Sequence, residues 1–189
     1  ADILALIRNS RLDQSVRDTS CSVFERLASA ESTVHGSPPE KVHLHEVGAL
    51  DAVADIVGAI AGLHLLGVEK IYSSPLNFGT GFVRCAHGRY PVPVPGVLAL
   101  CEGVPSIQTD IRSELVTPTG AALITTLACQ FGPAPVFSQT AVGYGAGSRD
   151  LSEIPNMLRV RLGEMSGIST REELVHIEAN IDDMNPEVY

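Results

Sequence analysis

The chain has 189 residues, 44% of them hydrophobic, with 13 basic and 22 acidic side chains and a formal net charge of −9. That is enough apolar material to bury the core of one domain or one and a half, while the acid excess, with no lysine-arginine stripe and no aromatic ladder, argues against a nucleic-acid partner. The longest apolar run, residues 56–68, is interrupted by His64 and is shorter than the roughly 20 residues a membrane-spanning helix needs, so no span is expected there.

In chain order, residues 2–8 form a short amphipathic helix and 13–34 a longer one, with Val16, Ser20, Val23, Leu27 and Ala30 on one face. The stretch HGSPPEK ends it. Residues 41–46 are a short strand, 49–66 a buried helix closed by Gly67, and 70–78 a second strand, together a βαβ unit. Next come a short strand or hairpin over 81–85, a proline-rich loop, and a helix over 95–102. A Thr-Pro-Thr-Gly turn then opens a helix over 120–131, followed by a glycine loop, AVGYGAGSRD, and a strand over 156–162. GEMSGISTREE reads as a linker, and VHIEANIDDMNPE starts a further strand.

The expected fold class is therefore α/β. A helical region over 1–37 precedes a βαβ-containing core over 38–163, a linker over 164–175, and the start of an α+β C-terminal domain over 176–189. Cys21, Cys85, Cys101 and Cys129 are far apart with no CxxC pair, as expected of reduced thiols in a cytoplasmic protein. Nothing reads as a signal peptide. Because the chain opens in mid-helix and stops at NPEVY, it is expected to be a piece of a longer protein.

Two groups of residues carry chemistry. In the strand over 41–46, alternation turns Val42 and Leu44 inward and sends His43 and His45 out on one face, where two imidazoles can chelate one metal. Glu46 ends that strand, and Asp51 follows in the first turn of the next helix. On this helix Asp51, Asp55, Gly58 and Gly62 share a stripe at spacings of four, three and four. Apolar surroundings make Asp55 a costly carboxylate unless it binds a cation or accepts hydrogen bonds. Such a nitrogen and oxygen set suits nickel, zinc, iron or cobalt better than calcium or magnesium. Each residue has an ordinary alternative: Asp51 as a complement to the helix N-terminus, Asp55 as a structural acceptor, the histidines as surface residues.

The second group is suited to anions. In TPTGAAL, Thr117 and Thr119 precede amides, from Gly120 onward, that can donate to a phosphate or carboxylate, with capping by Thr119 as the alternative. Gly143, Gly145 and Gly147, followed by Arg149 and Asp150, form a loop that can bring N–H groups against an anion, or act as a hinge. The spacing matches neither a P-loop nor a dinucleotide fingerprint. CAHGRYPVPVP places His87, a third imidazole or a turn residue, and Arg89 on a stiff loop.

HLHEVGALDAVADIVG, SSPLNFGTGFVRCAHGRYPVPVPG, ELVTPTGAALI, VGYGAGSRDLSEIPNMLRV and ANIDDMNPE, in this order over residues 38–189, resemble the LarC family of nickel insertion proteins. The resemblance implies a nickel chelatase of the lyase class. It would place nickel in a pyridinium bisthiocarboxylate mononucleotide, in a CTP-dependent reaction assisted by magnesium or manganese, and so complete the nickel-pincer cofactor of lactate racemase and similar enzymes. Combined with the residues above, it implies nickel handling by His43, His45, Glu46, Asp51 and His87, with Glu46, Asp51 and Asp55 as carboxylates of the reaction. Anion contact falls to Thr117, Thr119, Gly120, Gly145 and Arg149. The expected partner is a small-molecule mononucleotide. A homo-oligomer is compatible with the sequence. The family's opening segment, rich in glycine and aspartate, and most of its CTP-linked C-terminal domain are expected to lie outside this chain; Asp182, Asp183 and Glu187 resemble the start of that domain. Two other classes remain: a non-catalytic nickel-binding chaperone module, and a metal-dependent phosphohydrolase.

Overall fold

The computed structural model describes residues 2–37, 50–85, 88–165 and 173–178. Its helices are α1 (Asp2–Arg8), α2 (Gln14–His35), α3 (Leu50–Leu65), α4 (Pro95–Leu100) and α5 (Pro118–Leu127). Its strands are β1 (Lys70–Ser73), β2 (Leu76–Asn77), β3 (Phe82–Cys85), β4 (Gly88–Pro91), β5 (Ser106–Ile107), β6 (Gln130–Phe131), β7 (Phe137–Ala146), β8 (Met157–Met165) and β9 (Glu173–Glu178). The chain is an α/β protein. Its residues form two compact units whose segments interleave: 1–67, 78–104 and 108–127 in the first, 68–77, 105–107 and 128–189 in the second. The strand expected over 41–46, the first of the βαβ unit, lies outside the described residues.

The first unit is built around α2, which packs against α1, α3, α4 and α5. Val16, Ser20, Val23, Leu27 and Ala30 are all buried, and Cys21 and Phe24 widen that face. Ser20 is accommodated because its hydroxyl donates to the Val16 carbonyl at 2.7 Å, which removes the cost of an unmet donor in an apolar setting. Gly36 ends the helix with φ 59°, its N–H bonded to the Ser32 carbonyl, a left-handed cap that glycine adopts without steric cost. The helices that pack against α2 bury Ile56 of α3, Val97 and Leu100 of α4, and Ala121 and Ala122 of α5. Residues 1–37 thus share one core with the later helices. Helix α4 starts at Pro95, where the missing N–H costs nothing.

The second unit holds a five-stranded sheet in the order β6-β1-β9-β8-β7. Strand β1 pairs in parallel with β6 and β9, and β8 pairs antiparallel with both β9 and β7. Three sequence expectations change here. The strand over 70–78 is interrupted at Ser74 and Pro75, and β2 instead pairs in parallel with β5, because proline cannot donate to a ladder. The helix expected over 120–131 runs from Pro118 to Leu127. Beyond it the Cys129 and Gly132 amides donate to the Ile71 and Ser73 carbonyls at 2.8 Å each, drawing the chain beside β1 as strand β6. The glycine loop is mainly strand: 137–146 pair with 157–165 across β7 and β8. Finally, β9 takes the centre of this sheet between β1 and β8.

Candidate functional site

Helix α3 buries Ala52, Ile56 and Ile60, a spacing of four that defines its inner face. Asp51 and Asp55 stand on another face and are exposed. The expectation that Asp55 sits in an apolar environment is therefore corrected: solvent reaches this carboxylate, so no burial cost forces it to find a partner. Asp51 accepts a hydrogen bond from the Ala52 N–H at 2.9 Å, in the first turn where a negative charge is favoured. Gly58 and Gly62 continue the stripe, and among the described residues a β-carbon added at either would meet no atom within 4 Å beyond its own stretch of helix. The result is an open lane with two carboxylates at its N-terminal end. Residues four apart on a helix are neighbours, so these like charges repel. Among the described residues neither has a basic partner.

His43, His45, Glu46 and His87, the remaining expected nickel ligands, lie outside the described residues. Among the described residues no group of three histidine, cysteine, aspartate or glutamate side chains is placed to hold a metal. His64, which the sequence reading left off the stripe, has a different role. Its Nε2 lies 3.0 Å from Asp13 Oδ2 and its Nδ1 3.4 Å from Ser15 Oγ, tying the C-terminal end of α3 to the start of α2.

The anion set falls in both units. In the first, the Thr117 hydroxyl accepts from the Gly120 N–H at 3.3 Å, and the Ala121 N–H donates to the Thr117 carbonyl at 2.8 Å. Thr117 is thus the cap, and Thr119 sits inside the first turn, which corrects the alternative that gave capping to Thr119. Pro118 has no N–H, so among the described residues the Thr119 amide is the one donor of this turn left without a partner. In the second unit, Gly145 lies on β7 opposite Leu158, not in a loop, and its backbone is part of a strand. Arg149 is exposed in the connection between β7 and β8. That connection is closed by the Gly147 N–H donating to the Asn156 carbonyl at 3.2 Å and by the Asn156 amide donating to the Arg149 carbonyl at 3.1 Å.

Sequence reading missed one arrangement. Residues 88–91 are not an extended loop but the returning strand of a hairpin, with Gly88 at φ 119° just after the tip and the Val92 N–H closing the base on the Gly81 carbonyl at 3.0 Å. The register sets Arg84 directly opposite Arg89. Arg84 and Arg89, five residues apart in RCAHGR, were the signal available for it.

Other features offer less chemistry. The Cys101 thiol is pushed up to about 11 by burial, against a smaller lowering by the nearby Arg26, which leaves it neutral and unreactive at ordinary pH. Cys21 and Cys129 are also free thiols, the first buried and the second exposed. An apolar depression of about 520 Å³ between α1 and α3 is lined by Leu6, Leu12, Val53 and Val57 among others, none of them titratable. Among the described residues no helix is long and apolar enough to cross a membrane.

The fold places the chain among α/β proteins, and in one unit it presents a helix with an open pair of carboxylates. The model of the nickel insertion protein family matches residues 1–189. A protein of Desulfitobacterium hafniense named pyridinium-3,5-bisthiocarboxylic acid mononucleotide nickel insertion protein is 48% identical over 196 aligned residues, covering 100% of this chain and 48% of its own. A protein of Thermotoga petrophila with the same name is 52% identical over 180 residues, covering 95% of this chain and 44% of its own. No solved structure matches. The chain belongs to the nickel insertion protein family, and it spans about half the length of the curated relatives it matches.

Proposed function

We propose that this chain is the nickel-handling part of an enzyme that inserts nickel into a pyridinium bisthiocarboxylate mononucleotide. The observation that carries the reading is the extent of the kinship, 48% identity over the whole chain to a relative named for that substrate. The open carboxylates of α3 support it, since Asp51 and Asp55 repel one another and have no basic partner among the described residues, a situation that a divalent cation relieves.

In this reading His43, His45, Glu46 and Asp51 hold nickel as substrate, with His87 as a further ligand. Imidazole nitrogens suit nickel, and the carboxylates add charge to hold the divalent ion. As the pyridinium carbon and the two sulfur atoms replace the protein ligands, the metal-carbon bond forms at the expense of a carbon-bound proton. Glu46, Asp51 or Asp55 accepts that proton. Candidate donors to anionic groups are, within the first unit, the Thr119 amide and the Thr117 hydroxyl proton beside Gly120 and, within the second, Arg149 with Gly145. CTP, with magnesium or manganese, completes the reaction, and Asp182, Asp183 and Glu187 are the candidates for it within this chain. The assignment carries with it the lyase class, a cytoplasmic setting and a role in maturing lactate racemase.

A second reading is a nickel-binding chaperone module, for which the exposed carboxylates Asp51 and Asp55 would serve equally well. Incubation with nickel, CTP and the pyridinium precursor separates the two: turnover supports the enzyme, stoichiometric binding without product the chaperone. A metal-dependent phosphohydrolase, which holds two ions on a larger ligand set, is the remaining alternative, and metal-dependent release of phosphate from simple esters is the result that favours it. Replacing His43 and His45 with alanine is expected to weaken nickel binding at least about tenfold by calorimetry, as loss of metal-site groups does. Unchanged affinity removes the site.

A further inference from the structure

The β3–β4 hairpin contains an arrangement that folding alone disfavours. Arg84 and Arg89 are directly opposite one another on adjacent antiparallel strands, where β-carbons stand about 5 Å apart and like charges destabilise the pair. Both side chains are exposed. Among the described residues neither has a carboxylate within ion-pair distance, although acidic residues outnumber basic ones 22 to 13 in the chain. Phe82, the diagonal neighbour on the same face, is 62% exposed, and the Arg89 guanidinium lies over its ring, 4.2 Å from the centroid. At the foot of the hairpin a β-carbon on Gly81 would stand 3.7 Å from the Arg112 α-carbon, so a third arginine, also exposed, follows the same end of the hairpin.

These features share one physical explanation. An anion between the two guanidinium groups turns their repulsion into attraction. Arg89 is already held over an aromatic ring, so less side-chain freedom is lost when it binds. A single carboxylate presents two oxygens and satisfies one arginine fork. A phosphate monoester dianion presents three terminal oxygens and twice the charge, and so can bridge two forks. We propose that Arg84 and Arg89, with Phe82 beneath Arg89, form a binding site for a phosphate monoester. The proposal rests on the function given above only for the carrier of that phosphate, which is then the mononucleotide substrate.

The full chain is titrated by calorimetry with inorganic phosphate, with nicotinic acid mononucleotide and with nicotinic acid riboside, at constant ionic strength. Wild type is expected to bind the first two and not the riboside. Arg84→Gln with Arg89→Gln is expected to weaken phosphate binding at least about tenfold, the loss of one or more charge-assisted hydrogen bonds. Arg84→Glu sets a carboxylate opposite Arg89, so it should abolish phosphate binding while holding or raising the melting temperature in phosphate-free buffer. Three results overturn the site: undiminished phosphate binding by the double variant, equal binding of riboside and mononucleotide, or a lower melting temperature for Arg84→Glu. A nickel titration of the same proteins separates the two readings. Loss of phosphate binding with nickel binding intact affects the arginine variants alone, and absence of nickel binding from wild type overturns the nickel function while leaving the anion site standing.

Discussion

Asp55→Asn tests the open-lane description of α3 most directly. The substitution preserves shape and removes one charge. Asp51 and Asp55 are one helical turn apart, with β-carbons about 5–6 Å from each other, and a like-charge pair at this spacing costs about 0.2–0.5 kcal/mol. Asp51 gains from the helix N-terminus, whereas Asp55, beyond the first turn, gains little. Without nickel the variant should therefore be more stable by about 0.3 kcal/mol in low-salt urea titrations, a gain that fades at 1 M salt, where charges are screened within about 3 Å. With nickel the order should reverse. At a free concentration one hundred times the dissociation constant, a ligand stabilises by about 2.7 kcal/mol. If removing a neighbouring carboxylate weakens affinity about tenfold, the same concentration stabilises the variant by only about 1.4 kcal/mol. A loss of about 1 kcal/mol or more without nickel would refute the reasoning, because it is the size expected when a structural hydrogen bond is removed.

Other consequences are simpler. Thr117→Ala should cost about 1 kcal/mol in unfolding free energy through loss of the α5 cap, while Thr117→Ser should retain most of it; equal losses in both would show that the hydroxyl is not the capping group. Cys101 titrates at about 11 in the folded protein against 9.0 for the free thiol. The unfolded chain therefore loses this proton first, so the stability that Cys101 contributes is complete below pH 9 and is lost as pH rises toward 11. Consistently, iodoacetamide at pH 8 should modify exposed Cys129 well before Cys101, as read by peptide mass mapping; prompt labelling of Cys101 would contradict its burial.

Much of the helical framework was legible in the sequence because its causes are local. The spacing of Val16, Val23, Leu27 and Ala30 specified the inner face of α2, Gly36 its end, and Pro95 the start of α4. The long motifs that resemble nickel insertion proteins identified the family. The same periodicity misjudged Asp55, because a stripe pattern says which residues share a face and not what covers it.

What the sequence by itself determined, then, was family membership, the helix faces, and which side chains are chemically able to meet nickel and an anion. The tertiary structure decided whether the 137–146 segment became a loop or a strand, which hydroxyl caps α5, and that Arg84 faces Arg89. Each of these depends on pairing between separated segments. Glycines at 143 and 145 suit either a loop or a strand until 157–165 supplies a partner, and two arginines five apart become neighbours only when the chain turns back on itself in one register. Local propensity fixes dihedral preferences; hydrogen-bond partners and facing charges follow from the long-range pairing that folding selects.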